Sequence, residues 1–168
     1  MLEIETVPVF VFLDENIIYM DEGILKFFKE NTDEKFDFFT LFFPSFPIKT
    51  KPNGKKKGKK DYQVMQLARQ VLFSNEHILK CLFQDAKPRI VFLTRDRNFL
   101  EDVVKEKKED NQQIGGIIIP TENKILFIEK ELTIPLFIVW VKHEQNAGSK
   151  AMLVAVSQTL KKFLNKHF

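Results

Sequence analysis

Residues 7–13, Val-Pro-Val-Phe-Val-Phe-Leu, form an unbroken apolar run that stops at Asp14. A run of that length, rich in Val and Phe, predicts a strand buried on both faces, as in a parallel sheet. Over residues 17–30 the apolar positions Ile17, Met20, Ile24, Leu25, Phe27 and Phe28 fall at helical spacing. Residues 36–43 (FDFFTLFF) predict a second strand, and Pro44 and Pro47 end whatever precedes them. Residues 49–60 (KTKPNGKKKGKK) read as a loop, with Pro, Asn and Gly set among lysines. From Asp61 onward Val64, Leu67, Ala68, Val71 and Leu72 share one helical face, and a second helical stretch covers residues 75–83. Residues 89–94 (RIVFLT) predict another buried strand, followed by Arg95-Asp96-Arg97 and a helix over residues 98–108. Gly115-Gly116 introduces a short strand at 117–119 that Pro120 stops. Residues 125–128 fit a strand or a short helix equally well, because a short apolar run carries no decisive period. Residues 136–141 (LFIVWV) predict a strong strand, and an amphipathic helix closes the chain over residues 149–168. Strands alternating with helices predict an α/β layered fold, a mainly parallel central sheet flanked by helices.

Composition narrows the class. At 168 residues the chain fits a single domain, with the lysine-rich loop as its embellishment. Hydrophobic residues at 44% against 29% charged make it globular rather than disordered. The 18 phenylalanines lie largely in the strand-like runs and read as core filler. Cys81 is the sole cysteine, so no intramolecular disulfide can form. No apolar stretch without a proline is longer than residues 136–141, which is far too short to span a bilayer, and the acidic start of the chain does not resemble a secretory signal. A cytosolic protein without a membrane partner is the expectation.

The charge pattern says more than its sum. Net charge is +3, yet seven of the 26 basic residues fall between Lys49 and Lys60 with no acid among them. The remaining 19 face 23 acidic residues, a balance of −4. An acidic body thus carries one concentrated basic loop. Such a run is either a solvated surface loop or a device that displaces counterions from phosphates.

Two strand-like runs end in acids: the first in Asp14-Glu15-Asn16, the other in Thr94-Arg95-Asp96. In open α/β sheets, sites form outside the carboxyl ends of strands where strand order reverses. Asp61, at a helix start, adds a third acid. Each acid alone is explained by an N-cap role. Together, at matching strand ends, they predict a carboxylate cluster, which needs a cation to offset its repulsion. Mg²⁺ or Mn²⁺, hard ions that prefer oxygen, suit it.

These segments resemble PIN-like nuclease domains. VFVFLDENI is similar to the opening strand of the small bacterial and archaeal branch that begins Leu-Asp-Glu-Asn. IVFLTRDRNFLEDV resembles that branch's late strand with Thr-Arg-Asp-x-Asp-Phe, and DYQVMQLA its acid-led helix. The Gly115-Gly116 strand and the final helix fit the same order. The resemblance implies a Mg²⁺- or Mn²⁺-dependent nuclease, usually acting on RNA, with Asp14, Asp61 and Asp96 as catalytic and metal-holding acids. It departs from the family at Asn98, which stands where a fourth acid is usual and keeps only a neutral oxygen ligand for the metal. The 35-residue interval from Asp61 to Asp96 is also long, so Glu76 rivals Asp61 for the middle catalytic position. Many simple members are toxins of toxin–antitoxin pairs, which implies an antitoxin protein as partner; homo-oligomers are also compatible.

The lysine loop leads into Asp61, so Lys55, Lys56, Lys57, Lys59 and Lys60, with Arg95 and Arg97, are the candidate nucleic-acid contacts. Residues 53–59 lack the spacing of a phosphate-binding loop. His77, His143 and His167 lack metal-ligand spacing, and Cys81 sits on an apolar face. Two readings stay open: a metal-dependent ribonuclease, and a related domain that binds nucleic acid or protein without cutting.

Overall fold

A computed structural model describes residues 7–14, 17, 36–42, 49–50, 56–57, 61–83, 88–111, 114–129, 132–142 and 149–167. In chain order these form β1 (Val7–Leu13), β2 (Phe36–Phe42), β3 (Lys49–Thr50), β4 (Lys56–Lys57), α1 (Asp61–Ser74), α2 (Glu76–Phe83), β5 (Arg89–Thr94), α3 (Phe99–Asp110), β6 (Gly116–Ile119), β7 (Lys124–Glu129), β8 (Leu132–Trp140) and α4 (Ser149–His167). The helix expected over 17–30 lies, apart from Ile17, outside the described residues.

Six strands make one mixed sheet in the order β2-β1-β5-β8-β7-β6. β1 runs parallel to both β2 and β5, and β5 parallel to β8. β7 is antiparallel to β8 and to β6. The fold is α/β with a mostly parallel sheet, as the alternating pattern predicts.

The two halves of the sheet differ in the way their sequences require. β1 and β5 are buried along nearly their whole length, which is why they read as unbroken apolar runs. In β8, parallel to β5 and antiparallel to β7, buried and partly exposed positions alternate, because its two faces are covered unequally. The ambiguous segment 125–128 resolves as part of β7 because Ile125 and Phe127 enter the core opposite Leu136 and Ile134. Local period could not decide that; a partner strand did.

Alternation sends even-numbered side chains of β1, β5 and β8 to one face and odd-numbered ones to the other. Phe10, Phe12, Ile90, Phe92, Leu136 and Ile138 pack with Val64, Met65, Ala68 and Leu72 of α1, Ile78 of α2, and Phe99 and Val103 of α3. On the opposite face Val9, Val11, Leu13, Val91 and Leu93 pack with Met152, Val156, Leu160 and Leu164, a four-residue stripe along α4. The result is three layers, helix on sheet on helix.

The lysine-rich segment is not loop throughout. Lys49 and Thr50 pair antiparallel with Lys57 and Lys56, making a small ribbon separate from the main sheet. Composition alone reads the whole segment as loop, because pairing between two short polar stretches leaves no apolar pattern.

Gly116 holds the antiparallel edge close. A Cβ there would lie 2.6 Å from the carbonyl oxygen of Leu126 on the paired strand. Gly115 before it has φ +66°, a left-handed conformation that glycine adopts without strain.

Candidate functional site

The chain leaves β1 for β2 on one side and returns as β5 on the other, so the order of the strands reverses between β1 and β5. That is where open α/β sheets form their crevices. Asp14 follows β1 and Thr94 ends β5, both on the face covered by α1–α3.

One hydroxyl ties these strand ends together. Thr94 Oγ1 donates to Asp14 Oδ2 at 2.7 Å and accepts the backbone N–H of Asp96 at 3.1 Å. The Asp14 N–H still donates to Leu93 O at 3.0 Å, so the β1–β5 ladder continues to the site. Thr94 is fully buried and Asp14 nearly so. Burying a carboxylate is costly unless donors are aimed at it, and Thr94 supplies one.

Beyond Thr94 the chain turns sharply into α3. Asp96 Oδ1 accepts the N–H of Asn98 at 3.0 Å, and Asp96 O accepts that of Phe99 at 3.3 Å. Asp96 is therefore not the N-cap of α3; its side chain closes an Asx-turn just before the cap residue, Asn98. The same carboxylate also stands among other acids. One carboxylate oxygen from each of Asp61, Asp96 and Asp102 lies within 4.8 Å of the others, and all three residues are half-buried.

Asp61 arrives there because the amino end of α1 rests against α3. Glu106 Oε2 accepts the N–H of Tyr62 at 3.2 Å, meeting one of the donors that a helix start leaves open. Asp102 and Glu106 are one turn apart on α3 and face the same neighbour. Burial, followed by the charges of Glu106, Asp96, Asp14 and Asp102, pushes the Asp61 carboxyl up to about 8. Burial also raises Asp102, helped by the charge of Asp96 and a side-chain hydrogen bond with it. Without a cation, Asp61 and Asp102 are thus pushed towards their protonated forms. An all-oxygen donor set in that condition fits a hard divalent cation.

The placement of the expected residues is uneven. Asp61 and Asp96 meet, and Asp14 is near enough for its charge to act on Asp61, but the tightest grouping takes Asp102 as its third member. Glu76 does not take the middle position. It stands exposed at the start of α2, beyond the far end of α1, whose 14 residues span about 21 Å. Asn98 is exposed and begins α3 without a side-chain capping bond. Arg95 is half-exposed; Arg97 is exposed, and its guanidinium lies 5.4 Å from the ring centroid of Trp140. Trp140 is the register partner of Thr94, so this pair borders the crevice. Lys56 and Lys57 lie in β4, whereas Lys55, Lys59 and Lys60 fall outside the described residues.

Asp102, Glu106, Thr94 and Trp140 escaped notice as site residues. The signal for the first two was present: Asp102 and Glu106 follow Asn98 at steps of four along a helix whose apolar residues occupy another face. Nothing local announced that α1 would bring Asp61 to meet them.

Among the described residues no helix is long and apolar enough to cross a membrane. No protein-family model matches the chain, and no curated protein or solved structure matches it. The fold and crevice define an α/β domain with a reversed strand order and a carboxylate cluster at the reversal point.

Proposed function

We propose that this domain is a metal-dependent nuclease that hydrolyses phosphodiester bonds, with RNA as the favoured substrate, built on a PIN-like plan. The observation that carries the reading is the convergence of Asp61, Asp96 and Asp102 within 4.8 Å beside the buried Asp14, at the carboxyl ends of β1 and β5. The order in which the acids arise, after the first strand, at a helix start and after a later strand, supports the PIN-like comparison. Asp102 makes good the carboxylate missing at Asn98, which favours a cutting enzyme over a domain that only binds.

Asp61, Asp96 and Asp102 would hold Mg²⁺ or Mn²⁺, with Asp14 adjoining. Such an ion lowers the pKa of a coordinated water and offsets charge growing on a phosphoryl group. The protein's part is to keep the acids in place. Thr94 holds Asp14 and the turn carrying Asp96, while Glu106 anchors the helix start carrying Asp61. Arg97, exposed on the same strand-end loop, offers a cation to the flanking phosphate.

The test is cleavage of a labelled single-stranded RNA with Mn²⁺ and with chelator. Wild type should cut only with metal. Asp61→Asn, Asp96→Asn and Asp102→Asn should each lose about 100-fold or more, as expected when a ligand or its support is removed, and Glu76→Gln should cut normally. Equal cutting by wild type and Asp96→Asn would refute the site. Metal-independent RNA binding without any cutting would leave the domain as a binder.

A further inference from the structure

A second concavity, of about 560 Å³, lies beside the crevice, lined by the 121–124 turn, the carboxyl half of β8 and the last turns of α4. It exists because β7 stops short. The register ends at Lys124 opposite Phe137, so residues 138–140 of β8 run on past β7. Along α4, Thr159, Lys162, Phe163 and Lys166 recur at the spacing of one helical face, and all four line the cleft. Lys124 faces them, held by Glu122 at 2.7 Å and lying over the Phe137 ring at 5.6 Å. Phe137 and Phe163 meet ring to ring at 5.3 Å.

Charge and shape together identify the occupant. Lys124 and Glu122 offset each other, which leaves Lys162 and Lys166 as a net double positive charge on the wall. α4 contains Lys150, Lys161, Lys162 and Lys166 and no acid, in a chain whose body outside the lysine-rich segment is net acidic. Two lysines one turn apart repel each other. Their seat in a concave, aromatic-floored cleft is matched by a polyanion that carries rings. Single-stranded nucleic acid is bound in this way, with lysines on the backbone and aromatic rings under the bases. The volume lies within the ~300–1,000 Å³ usual for a ligand site, room for only a short stretch of strand. Trp140 joins the two places: the end of β8 that carries it borders the cleft, while its ring, at an even-numbered position, lies beneath Arg97 at the crevice border.

We infer that the cleft between α4 and the 121–124 turn binds single-stranded nucleic acid, with Lys162 and Lys166 on its phosphates and Phe163 against a base, and leads the strand past Trp140 to the carboxylate crevice. The last clause rests on the nuclease reading; the binding itself does not.

Trp140 is the only tryptophan in the chain, and its ring stands where a strand would pass from the cleft to the crevice, so its fluorescence reports on that passage. A fluorescein-labelled oligouridine followed by anisotropy, and the unlabelled oligomer followed by tryptophan emission, are titrated in chelator, where no cutting occurs. Binding should change Trp140 emission in parallel with anisotropy. Lys162→Ser/Lys166→Ser should lower the slope of log affinity against log salt by about 1.4, at ~0.7 per phosphate contact. Phe163→Leu, which keeps an apolar contact but removes the ring, should weaken binding by roughly 5- to 150-fold, the range for loss of one stacked base. The lysines are exposed, and thermal unfolding of the variants checks that the fold persists. No binding, or binding with unaltered emission and an unchanged salt slope, overturns the inference. Normal binding without Mn²⁺-dependent cleavage removes the nuclease reading and leaves the cleft standing; cleavage with binding unaffected by these variants does the reverse.

Discussion

Asp61→Asn should make the metal-free protein more stable at alkaline pH, although it removes a residue placed at the centre of the site. In the folded chain the Asp61 carboxyl is pushed up to about 8 from its ordinary 3.8. Between those two values the folded state holds a proton that the unfolded state has released. Stability attributable to this group therefore falls as pH rises from about 4 to 8, and the penalty is complete above 8. At 1.36 kcal/mol per pKa unit the shift sets a ceiling of about 6 kcal/mol. Water reaches part of the carboxyl and screens it, so about 2 kcal/mol is the expected effect. Asn keeps the shape and a donor without ever acquiring the charge. For a chain of this size 2 kcal/mol corresponds to roughly 4–8 °C in Tm. The assay is thermal unfolding of wild type and Asp61→Asn in chelator at pH 5, 7 and 9. The variant's advantage should be small at pH 5 and largest at pH 9, and added Mn²⁺ should reverse the order by stabilising wild type alone. An equal difference in Tm at pH 5 and pH 9, or a variant less stable than wild type at pH 9 in chelator, would refute the reasoning.

Other changes test how the site is held. Thr94→Val keeps the shape but deprives Asp14 of its 2.7 Å donor; a lost hydrogen bond to a charged group costs roughly 1.5–3 kcal/mol, read as a lower denaturant midpoint with unchanged slope. Serine at the same position should restore most of that loss, whereas an equal loss in both variants would mean that the hydroxyl is not what matters. Gly116→Ala would set a methyl against the Leu126 carbonyl, with a cost of about 1–3 kcal/mol in chemical denaturation; a neutral result would mean that β6 and β7 can separate freely.

Much of this protein could be read from its sequence because its elements follow local rules. Residues 7–13 and 90–93 are apolar throughout because a parallel strand between two helical layers has no wet face, and that requirement is visible in the residues themselves. The helix from Asp61 and the closing helix announced themselves by spacing, and the acids after β1 and β5 by where each strand ends. Tertiary structure alone decided the rest. Residues 125–128 became a strand because β8 lay alongside, and Lys49–Thr50 paired with Lys56–Lys57 in a segment that composition reads as loop. The choice of Asp61 over Glu76 was likewise non-local. It depends on α1 docking its first turn against α3, where Glu106 receives the Tyr62 N–H, and this sets Asp61 beside Asp96 and Asp102 while the length of α1 carries Glu76 away. Strand and helix are encoded by periods of two and 3.6 residues within a few neighbours. Which carboxylates share a crevice depends on contacts between residues far apart in the chain, and single-sequence spacing carries no term for those.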